Sequence, residues 1–168
     1  LHRAGFQVTG SDSGVYPPMS DFLSKQGVRI IEGFCADNLP ERALVVIGNA
    51  ISRGNVELEA ALDRGMTLIS LPELISRRYL IRRTSIVVAG THGKTTTTSM
   101  IAHILHSDGR DPGWLVGGIP LDLPVPCWNG SGGEFVIEGD EYDTVYYDKR
   151  PKFLHYKPMI GVLTSVEF

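Results

Sequence analysis

The sequence predicts an α/β protein built on parallel sheet. Short apolar runs alternate along the chain with segments of helical periodicity, at the spacing typical of strand–helix–strand units. One apolar run, residues 86–89, leads into a glycine loop, a Lys-Thr pair and a further helical segment, which is the pattern of a phosphate-binding loop. The 168 residues suffice for one or two small domains with cores of their own.

Composition and charge argue against several classes of protein. The chain is 42% hydrophobic and 21% charged with a net charge of −3, so neither a nucleic-acid partner nor a membrane partner is indicated. No apolar run approaches the ~20 residues of a membrane-spanning helix, and no signal peptide is recognised. Cys35 and Cys127 lie far apart and outside any metal-binding spacing, which predicts reduced, packed thiols in a cytosolic protein.

The first half of the chain is predicted to contain four strands and three helices. The strands are residues 6–9, 28–31, 44–47 and 66–70. The helices begin at Pro17-Pro18, after the cap Asn55, and at Pro72. The uniformly apolar strand 44–47 is expected to be buried on both faces. Asp12 follows the first strand, and it is either an acid that holds a ribose hydroxyl or an exposed turn residue; both interpretations stay open.

A basic run separates this half from the phosphate loop. Its members are Arg77, Arg78, Arg82 and Arg83. We interpret the run as a solvated helix face and linker, and we place a domain boundary there. The two predicted domains are residues 1–82 and 83–168.

The loop from residue 90 to residue 96 is the strongest functional signal. Gly90 and Gly93 allow backbone N–H groups to turn toward an anion, and the following helix adds N–H groups and a partial positive charge. Lys94 can reach the β- and γ-phosphates of a nucleotide, and the Thr95 hydroxyl can bind Mg²⁺. The alternative, a plain strand–turn–helix with an incidental lysine, is disfavoured by the flanking elements. The candidate nucleotide-binding residues are Gly90, Thr91, His92, Gly93, Lys94, Thr95 and Thr96.

Two further elements follow the loop. The helix is expected to run to about Ser107, with an apolar face formed by Met100, Ile101, Ile104 and Leu105. Strand 135–137 is followed by four carboxylates, namely Glu138, Asp140, Glu141 and Asp143. Because ligands of open α/β sheets bind beyond the carboxyl ends of the strands, and because clustered carboxylates repel, we favour a bound cation over a surface acidic turn.

The remaining polar signals have structural interpretations. His92 is expected to orient the loop, and His155 alternates with apolar residues, so it is expected to be packed. Residues 143–157 mix aromatic and basic side chains as single-strand nucleic-acid sites do, but the neighbouring acids argue against that function.

Several separated stretches resemble one family. GTHGKTTTT at residues 90–98 closely resembles the ATP loop of the Mur ligases, which build the peptide of bacterial cell walls. GSDSGVYPPMS at 10–20, GNAISRGN at 48–55 and FVIEGDEYDTVYYDKRPKFLHYKP at 135–158 are similar to the murein peptide ligases within that family.

The resemblance implies a domain organisation and site residues. Residues 1–82 would be a Rossmann-like domain for a UDP-sugar that lacks its start, and residues 83–168 the first part of a P-loop-type ATP-binding domain. By resemblance Lys94 and Thr95 bind ATP phosphates and Mg²⁺, Glu138 is a metal ligand, and Lys94 and Glu138 are the catalytic pair. The implied substrate-binding residues are Ser11, Asp12, Asn49 and Ala50.

The resemblance also implies a reaction. A cytoplasmic bacterial ligase would use ATP to convert the carboxylate of UDP-N-acetylmuramate to an acyl phosphate, which the amine of L-alanyl-γ-D-glutamyl-meso-diaminopimelate then displaces, in peptidoglycan recycling and cell-wall biogenesis. Two alternatives stay open: a ligase that adds L-alanine to the same UDP-sugar, and a nucleotide-binding module without catalysis. Since the chain begins at Leu1 and both ends cut through predicted elements, we expect it to be inactive alone.

Overall fold

The structure, a computed structural model, describes residues 1–166 and divides them into two compact units. The first unit comprises residues 1–45 and 51–68, and the second comprises residues 46–50 and the chain from residue 69 onward. Parallel strand pairs with intervening helices occur in both units, which confirms the predicted α/β class. The functional boundary placed between residues 82 and 83 stays a prediction.

The first unit contains one parallel strand pair and two α-helices. Its elements are β1 (Thr9–Asp12), α1 (Met19–Lys25), β2 (Arg29–Glu32) and α2 (Val56–Asp63), with 3-10 turns at His2–Ala4 and Ala36–Asn38. The sequence places the first strand at residues 6–9, and this is wrong: the ladder with β2 begins at Thr9. The cause is the 3-10 turn, which Gly5 closes with a φ of +86°, so the chain reaches the ladder later.

A second strand pair, β3 (Leu44–Ile47) and β4 (Thr67–Ser70), forms a two-stranded sheet. Each of these strands is divided between the two units. The expectation that residues 44–47 are buried on both faces is wrong, because Leu44 and Val46 are exposed while Ile47 is buried. Leu44 and Val46 are two positions apart and share one face of the strand, so it is this face that is open. The expectation of packed thiols is wrong as well, because Cys35 and Cys127 are both exposed.

Local capping explains where two helices start. The Asn55 side chain accepts hydrogen bonds from the N–H groups of Glu57 and Leu58 at 3.0 and 3.1 Å, so the predicted cap of α2 is confirmed. The Ser70 hydroxyl accepts from the Glu73 N–H at 3.3 Å and starts α3 (Leu71–Ile75), which continues as one π-helical turn, Ser76–Leu80.

A five-stranded sheet organises the second unit. Its elements are β5 (Thr84–Ala89), α4 (Lys94–Ser107), β6 (Gly113–Leu115), β7 (Cys127–Trp128), β8 (Glu134–Glu138) and β11 (Ile160–Leu163). The strand order is β11-β5-β8-β6-β7, with parallel pairs except for β7 against β6. A hairpin of β9 (Asp143–Val145) and β10 (Asp148–Pro151) precedes α5 (Lys152–Tyr156). Within residues 1–166, no helix combines the length and apolarity needed to cross a membrane.

Alternate residues of the central strands supply two separate cores. Val87 of β5 and its partner Ile137 of β8 pack in one core with α3, the π-helical turn and α5. Ile86 and its partner Val136 pack in the other, which contains Ala102 of α4. This two-residue alternation is the pattern of a sheet covered on both faces, and it fixes the position of β5.

The buried face of α4 agrees only in part with the predicted one, since Ile101 and Leu105 pack against the core but Met100 and Ile104 do not. Thr98 and Ala102 are completely buried, whereas Met100 and Ile104 are 58% and 62% exposed. At about 100° per residue, positions 98 and 102 share a stripe, and positions 100 and 104 lie on the far side of the helix. The loop determines which side of α4 faces the core, because the helix must begin at Lys94.

The basic run is not simply a solvated linker. Arg77 is exposed and pairs with Glu73 at 2.5 Å, as a solvated face would. The Arg83 guanidinium instead donates to the carbonyls of Asn129 and Gly130 and lies 6.0 Å from the centre of the Phe135 ring. The last arginine of the run therefore anchors the loop before β8. Its partners follow it by 46 and 47 positions, so the local sequence pattern does not indicate this contact.

The packing of β6 gives a test of this core. A Cβ atom at Gly113 would lie 2.2 Å from the Phe135 ring and 2.7 Å from the Asn129 carbonyl oxygen. Overpacking of a dense core costs about 1–3 kcal/mol, so we expect Gly113→Ala to lower the thermal midpoint by roughly 3–10 °C. The measurement is thermal unfolding followed by circular dichroism.

Gly161→Ala in β11 is the matched control, because a Cβ there meets no atom within 4 Å. We expect its midpoint to stay within about 2 °C of the parent. Equal midpoints for the two variants would contradict the packing described for β6.

Candidate nucleotide-phosphate site

The candidate site lies where β5 ends and α4 begins. Gly90 has a φ of +133° and Gly93 a φ of +79°, both in the region that favours glycine. The first intrahelical hydrogen bond runs from Thr97 N–H to the Gly93 carbonyl at 2.9 Å. The N–H groups of the preceding positions, 94–96, have no acceptor inside the helix, so they are available to an anion at this end.

Lys94 lies over the loop. Its ammonium donates to the Gly90 carbonyl at 2.7 Å and to the Glu141 carboxylate at 3.1 Å, and its side chain is only 15% exposed. The Glu141 backbone N–H and the Lys94 ammonium hold the pKa of Glu141 below its usual range. The lysine is therefore held at the loop by two acceptors, one of them charged.

Glu138 places a carboxylate beside the loop. One oxygen accepts from the Thr95 hydroxyl at 3.0 Å, and the other accepts from the Gly117 N–H at 2.6 Å. A hydroxyl oxygen next to a carboxylate oxygen fits Mg²⁺, which binds one or two carboxylates together with phosphate and water oxygens. Among residues 1–166 no group of three or more His, Cys, Asp and Glu side chains is arranged to hold a metal. The donor set thus fits a metal shared with a nucleotide better than a site made by protein alone.

Each carboxylate of the acidic turn after β8 has a hydrogen-bond or ion-pair partner. The partners are Thr95 for Glu138, Lys152 for Asp140, Lys94 for Glu141 and Lys149 for Asp143. Three of the four carboxylates are thus paired with a lysine, so repulsion among them is a weaker argument for a bound cation than the sequence suggests. Glu138 has uncharged donors only, and its role as a metal ligand stays a prediction. The two lysines that the sequence argument overlooked come from β10 and α5, elements that fold back on the turn.

A small polar network fixes this turn, and sequence reasoning missed it. The Lys152 ammonium donates to Asp140 at 2.9 Å and to the Tyr142 hydroxyl at 2.8 Å, and it lies 4.1 Å from the centre of the Tyr142 ring. The Tyr142 hydroxyl donates to Asp140 at 2.6 Å. Burial would lower the pKa of Lys152, but the hydrogen bonds to Tyr142 and Asp140 outweigh it and raise that pKa. The network holds the stretch that carries Glu138 and Glu141.

A second polar pair, Thr164 and Ser165, contacts the loop from the end of β11. Ser165 accepts from the His92 N–H through its hydroxyl at 3.0 Å, and from the Thr91 N–H through its carbonyl at 3.0 Å. Sequence reasoning missed this pair too. The available signal was two hydroxyl residues directly after an apolar run at the same edge of the sheet.

The two notable histidines differ in their surroundings. His92 contributes both backbone groups to the contacts with Thr164 and Ser165. His155 is packed, as predicted, with its Nε2 atom 3.2 Å from an Asp148 oxygen and its side chain 11% exposed.

The predicted sugar-nucleotide residues are distributed over both units. The Ser11 hydroxyl donates to Glu57, which also accepts from the Asn38 side chain at 2.6 Å. Asp12 accepts from the Gly14 N–H at 3.0 Å, a local turn contact. Asn49 and Ala50 lie in an exposed turn of the second unit. The role of these four residues stays a prediction.

A cavity of about 300 Å³ opens beside the loop on the exposed side of α4. The ring of His103 joins its two walls, with Nδ1 3.0 Å from the Asp122 carbonyl oxygen. The lining residues are Thr95, Thr96, Ser99, Met100, His103, Pro120, Leu121 and Asp122. The apolar residues that sequence analysis assigned to the core thus include one, Met100, that lines an open cavity.

The chain is similar to known proteins of one family. A profile described as "Mur ligase family, catalytic domain" matches residues 1–79. The UDP-N-acetylmuramate--L-alanyl-gamma-D-glutamyl-meso-2,6-diaminoheptandioate ligase of Escherichia coli (strain K12) is 47% identical over 167 residues, which are 99% of this chain and 36% of the relative. A UDP-N-acetylmuramate--L-alanine ligase of Paenarthrobacter aurescens (strain TC1) is 40% identical over 163 residues, 97% of this chain and 34% of the relative.

A solved structure gives the same result. The crystal structure of UDP-N-acetylmuramate:L-alanyl-gamma-D-glutamyl-meso-diaminopimelate ligase from Neisseria meningitides has a TM-score of 0.92 and 44% identity to this chain. The match covers 99% of this chain and 55% of that one. The chain spans about a third of the length of the curated relatives it matches.

The contact between Lys94 and Glu141 leads to a test. Glu141 competes with any phosphate for the ammonium, so we expect Glu141→Gln to tighten Mg·ATP binding. Exposed ion pairs contribute about 0.2–1 kcal/mol, which corresponds to a gain of roughly two- to fivefold. Calorimetric titration at neutral pH measures the affinity for Mg·ATP. The difference in affinity between variant and parent should disappear as the pH falls through the lowered pKa of Glu141, because the protonated carboxyl no longer pairs with Lys94.

Asp143→Asn is the control, because it removes the same charge from the same turn without touching Lys94. Its affinity should match that of the parent. A weaker complex with Glu141→Gln would show that Glu141 assists the nucleotide instead of competing with it.

Proposed function

We propose, because this chain belongs to the Mur ligase family, that it forms the ATP-phosphate site of a ligase that joins a peptide amine to UDP-N-acetylmuramate. The proposed peptide is L-alanyl-γ-D-glutamyl-meso-diaminopimelate, by analogy with the Escherichia coli relative. The observation that carries the proposal is the convergence of Lys94, Thr95 and Glu138 at the carboxyl ends of adjacent parallel strands. Such a position is where open α/β sheets bind their ligands.

The residues of the loop would stabilise the negative charge of the nucleotide phosphates. The Lys94 ammonium and the N–H groups at the start of α4 would offset the negative charge of the β- and γ-phosphates. Thr95 and Glu138 would hold the Mg²⁺ that accompanies the nucleotide. Glu141 would give up the Lys94 ammonium as phosphate arrives. These groups bind and orient the phosphates, and none of them acts as a covalent nucleophile.

ATP would supply the phosphoryl group. Its transfer to the lactyl carboxylate of the UDP-sugar forms an acyl phosphate and releases ADP; the peptide amine then attacks the acyl carbon, forming the amide and expelling phosphate. Alignment of the carboxylate with the γ-phosphate accounts for much of the rate, since positioning alone contributes about 7–11 kcal/mol in well-oriented reactions. We place the complete protein in the bacterial cytoplasm, in peptidoglycan recycling.

A second candidate differs in the amine. The Paenarthrobacter aurescens relative bears the name of an L-alanine-adding ligase and is 40% identical to this chain. Both enzymes would use the phosphate site in the same way, so the described residues account for nucleotide binding and do not distinguish between the two amines. A nucleotide-binding module without catalysis is the third candidate, since the chain spans about a third of these relatives.

The choice of amine is tested with the complete protein. Phosphate release is measured with ATP, Mg²⁺ and UDP-N-acetylmuramate, and with either the diaminopimelate tripeptide or L-alanine as the amine. We expect the tripeptide to give at least tenfold higher kcat/KM, since a fitted peptide contributes binding energy that L-alanine lacks. A preference for L-alanine would move the protein to the second candidate, and ATP binding without release for either amine would favour the third.

Lys94→Ala, made in the complete protein, tests the phosphate site itself. We expect kcat to fall by ~10²-fold or more, because the ammonium would act on charge that shifts in the transition state. Folding should be preserved, because the contacts of Lys94 are to one loop carbonyl and one exposed carboxylate.

Lys149→Ala is the matched control, since Lys149 is an exposed lysine that pairs with Asp143 on the same acidic turn. Its turnover should stay within about twofold of the parent, as expected for an exposed ion pair. An unchanged kcat in Lys94→Ala, with the substitution verified by mass spectrometry, would refute the assignment of this loop.

A further inference from the structure

The phosphate loop is held from outside by the segment that follows β11. The Thr164 N–H donates to the Ala89 carbonyl at 3.0 Å, and the Thr164 hydroxyl lies within hydrogen-bond distance of the Ala89 and His92 carbonyls, to either of which its single proton can be donated. Ser165 accepts from Thr91 N–H and His92 N–H, each at 3.0 Å. Both ends of the stretch between the two glycines are therefore tied to a neighbouring strand.

These contacts decide which N–H groups face a ligand. In a loop with four residues between its glycines, the backbone N–H groups of the loop itself surround the phosphates. Here only Thr91 and His92 lie between Gly90 and Gly93, and Ser165 accepts from the N–H groups of both. The donors left for an anion are those at the start of α4, together with the Lys94 ammonium.

The close approach explains the glycine at the first position of the loop. A Cβ atom on Gly90 would lie 2.3 Å from the Thr164 hydroxyl oxygen and 2.8 Å from the Ser165 carbonyl oxygen. Real Cβ atoms do not approach other atoms so closely, so the contact with the segment after β11 requires the absence of a side chain. The loop and this segment are fitted to each other, and the Ser165 hydroxyl is their one side-chain contact to the His92 N–H.

We propose that Ser165 is a positioning residue for the nucleotide phosphates. Its hydroxyl and carbonyl hold the Thr91–His92 segment turned away from the ligand, which aims the first turn of α4 and Lys94 at the phosphates. The inference rests on the proposed function for the identity of the ligand, whereas the arrangement of the loop is independent of it. Ser165 is half-buried and touches no group that reacts.

The test compares three variants of the 168-residue chain. Ser165→Ala removes the hydroxyl, Ser165→Thr keeps it, and Ser165→Cys keeps the volume but offers a weak acceptor. Mg·ATP affinity is measured by calorimetry, and the hydrogen exchange rate of the His92 amide by nuclear magnetic resonance without nucleotide. Thermal midpoints are recorded for all variants.

We expect Ser165→Ala to bind Mg·ATP about tenfold more weakly and its His92 amide to exchange at least about tenfold faster, as the loss of one hydrogen bond implies. Ser165→Thr should restore both values to within about threefold, and Ser165→Cys should fall between the two. Thermal midpoints should differ by no more than about 6 °C, the shift that the loss of one hydrogen bond allows, which separates positioning of the loop from a general loss of stability. If Ser165→Ala does not fold, Ser165→Cys provides the same comparison.

The outcomes separate this inference from the proposed function. An unchanged hydrogen exchange rate of the His92 amide in Ser165→Ala would overturn the inference, whatever the measured Mg·ATP affinity. A faster exchange rate of the His92 amide with an unchanged Mg·ATP affinity would also overturn the inference, because the loop contact would then have no effect on nucleotide binding. If the parent chain binds no Mg·ATP while the His92 amide responds as expected, the proposed function fails and the role of Ser165 in shaping the loop stands.

Discussion

The tight turn at the end of β5 is the constraint on which the candidate site depends. β5 is the second strand of the sheet and contributes to the cores on both of its faces, so its carboxyl end is fixed in space. From that fixed end the chain reverses through Gly90 and Gly93 and starts α4 at once. Glu138 arrives at the end of β8 and Ser165 just after β11, the two neighbours of β5. The site is thus assembled from the ends of three adjacent parallel strands.

Charge is balanced within this arrangement without a ligand. Lys94 is shielded from solvent, and an unpaired ammonium in such a place would be costly, so the Gly90 carbonyl and the Glu141 carboxylate serve as acceptors. The acidic turn is in turn tied to Lys152, so Glu141 is presented by a stretch that is itself held. An arriving phosphate would exchange one anion for another at Lys94. Lys94 would thus have an anionic partner both with and without the nucleotide.

Local patterns predicted the elements whose causes are local. The strand, glycine loop and helix around Lys94 were predictable because turn chemistry and periodicity act within a few residues. The cap at Asn55 was predictable for the same reason. The exposed position of Met100 was not predictable, because the side of α4 that faces the core depends on where the loop ends and the helix begins. The partners of Asp140 and Glu141 were not either, since they lie 12 and 47 positions away.

The length of the loop follows from its neighbours. With two residues between Gly90 and Gly93, the chain is too short to wrap an anion with its own N–H groups, as the four-residue spacing does. The segment after β11 contacts the loop from outside, since Thr164 and Ser165 form hydrogen bonds with the backbone groups of His92. The helix N-terminus is then the part of the turn with N–H groups directed outward. Under the proposed function, a short loop held by a neighbouring strand would take the place of a longer loop that closes on itself, and the contact with that strand requires that Gly90 have no side chain.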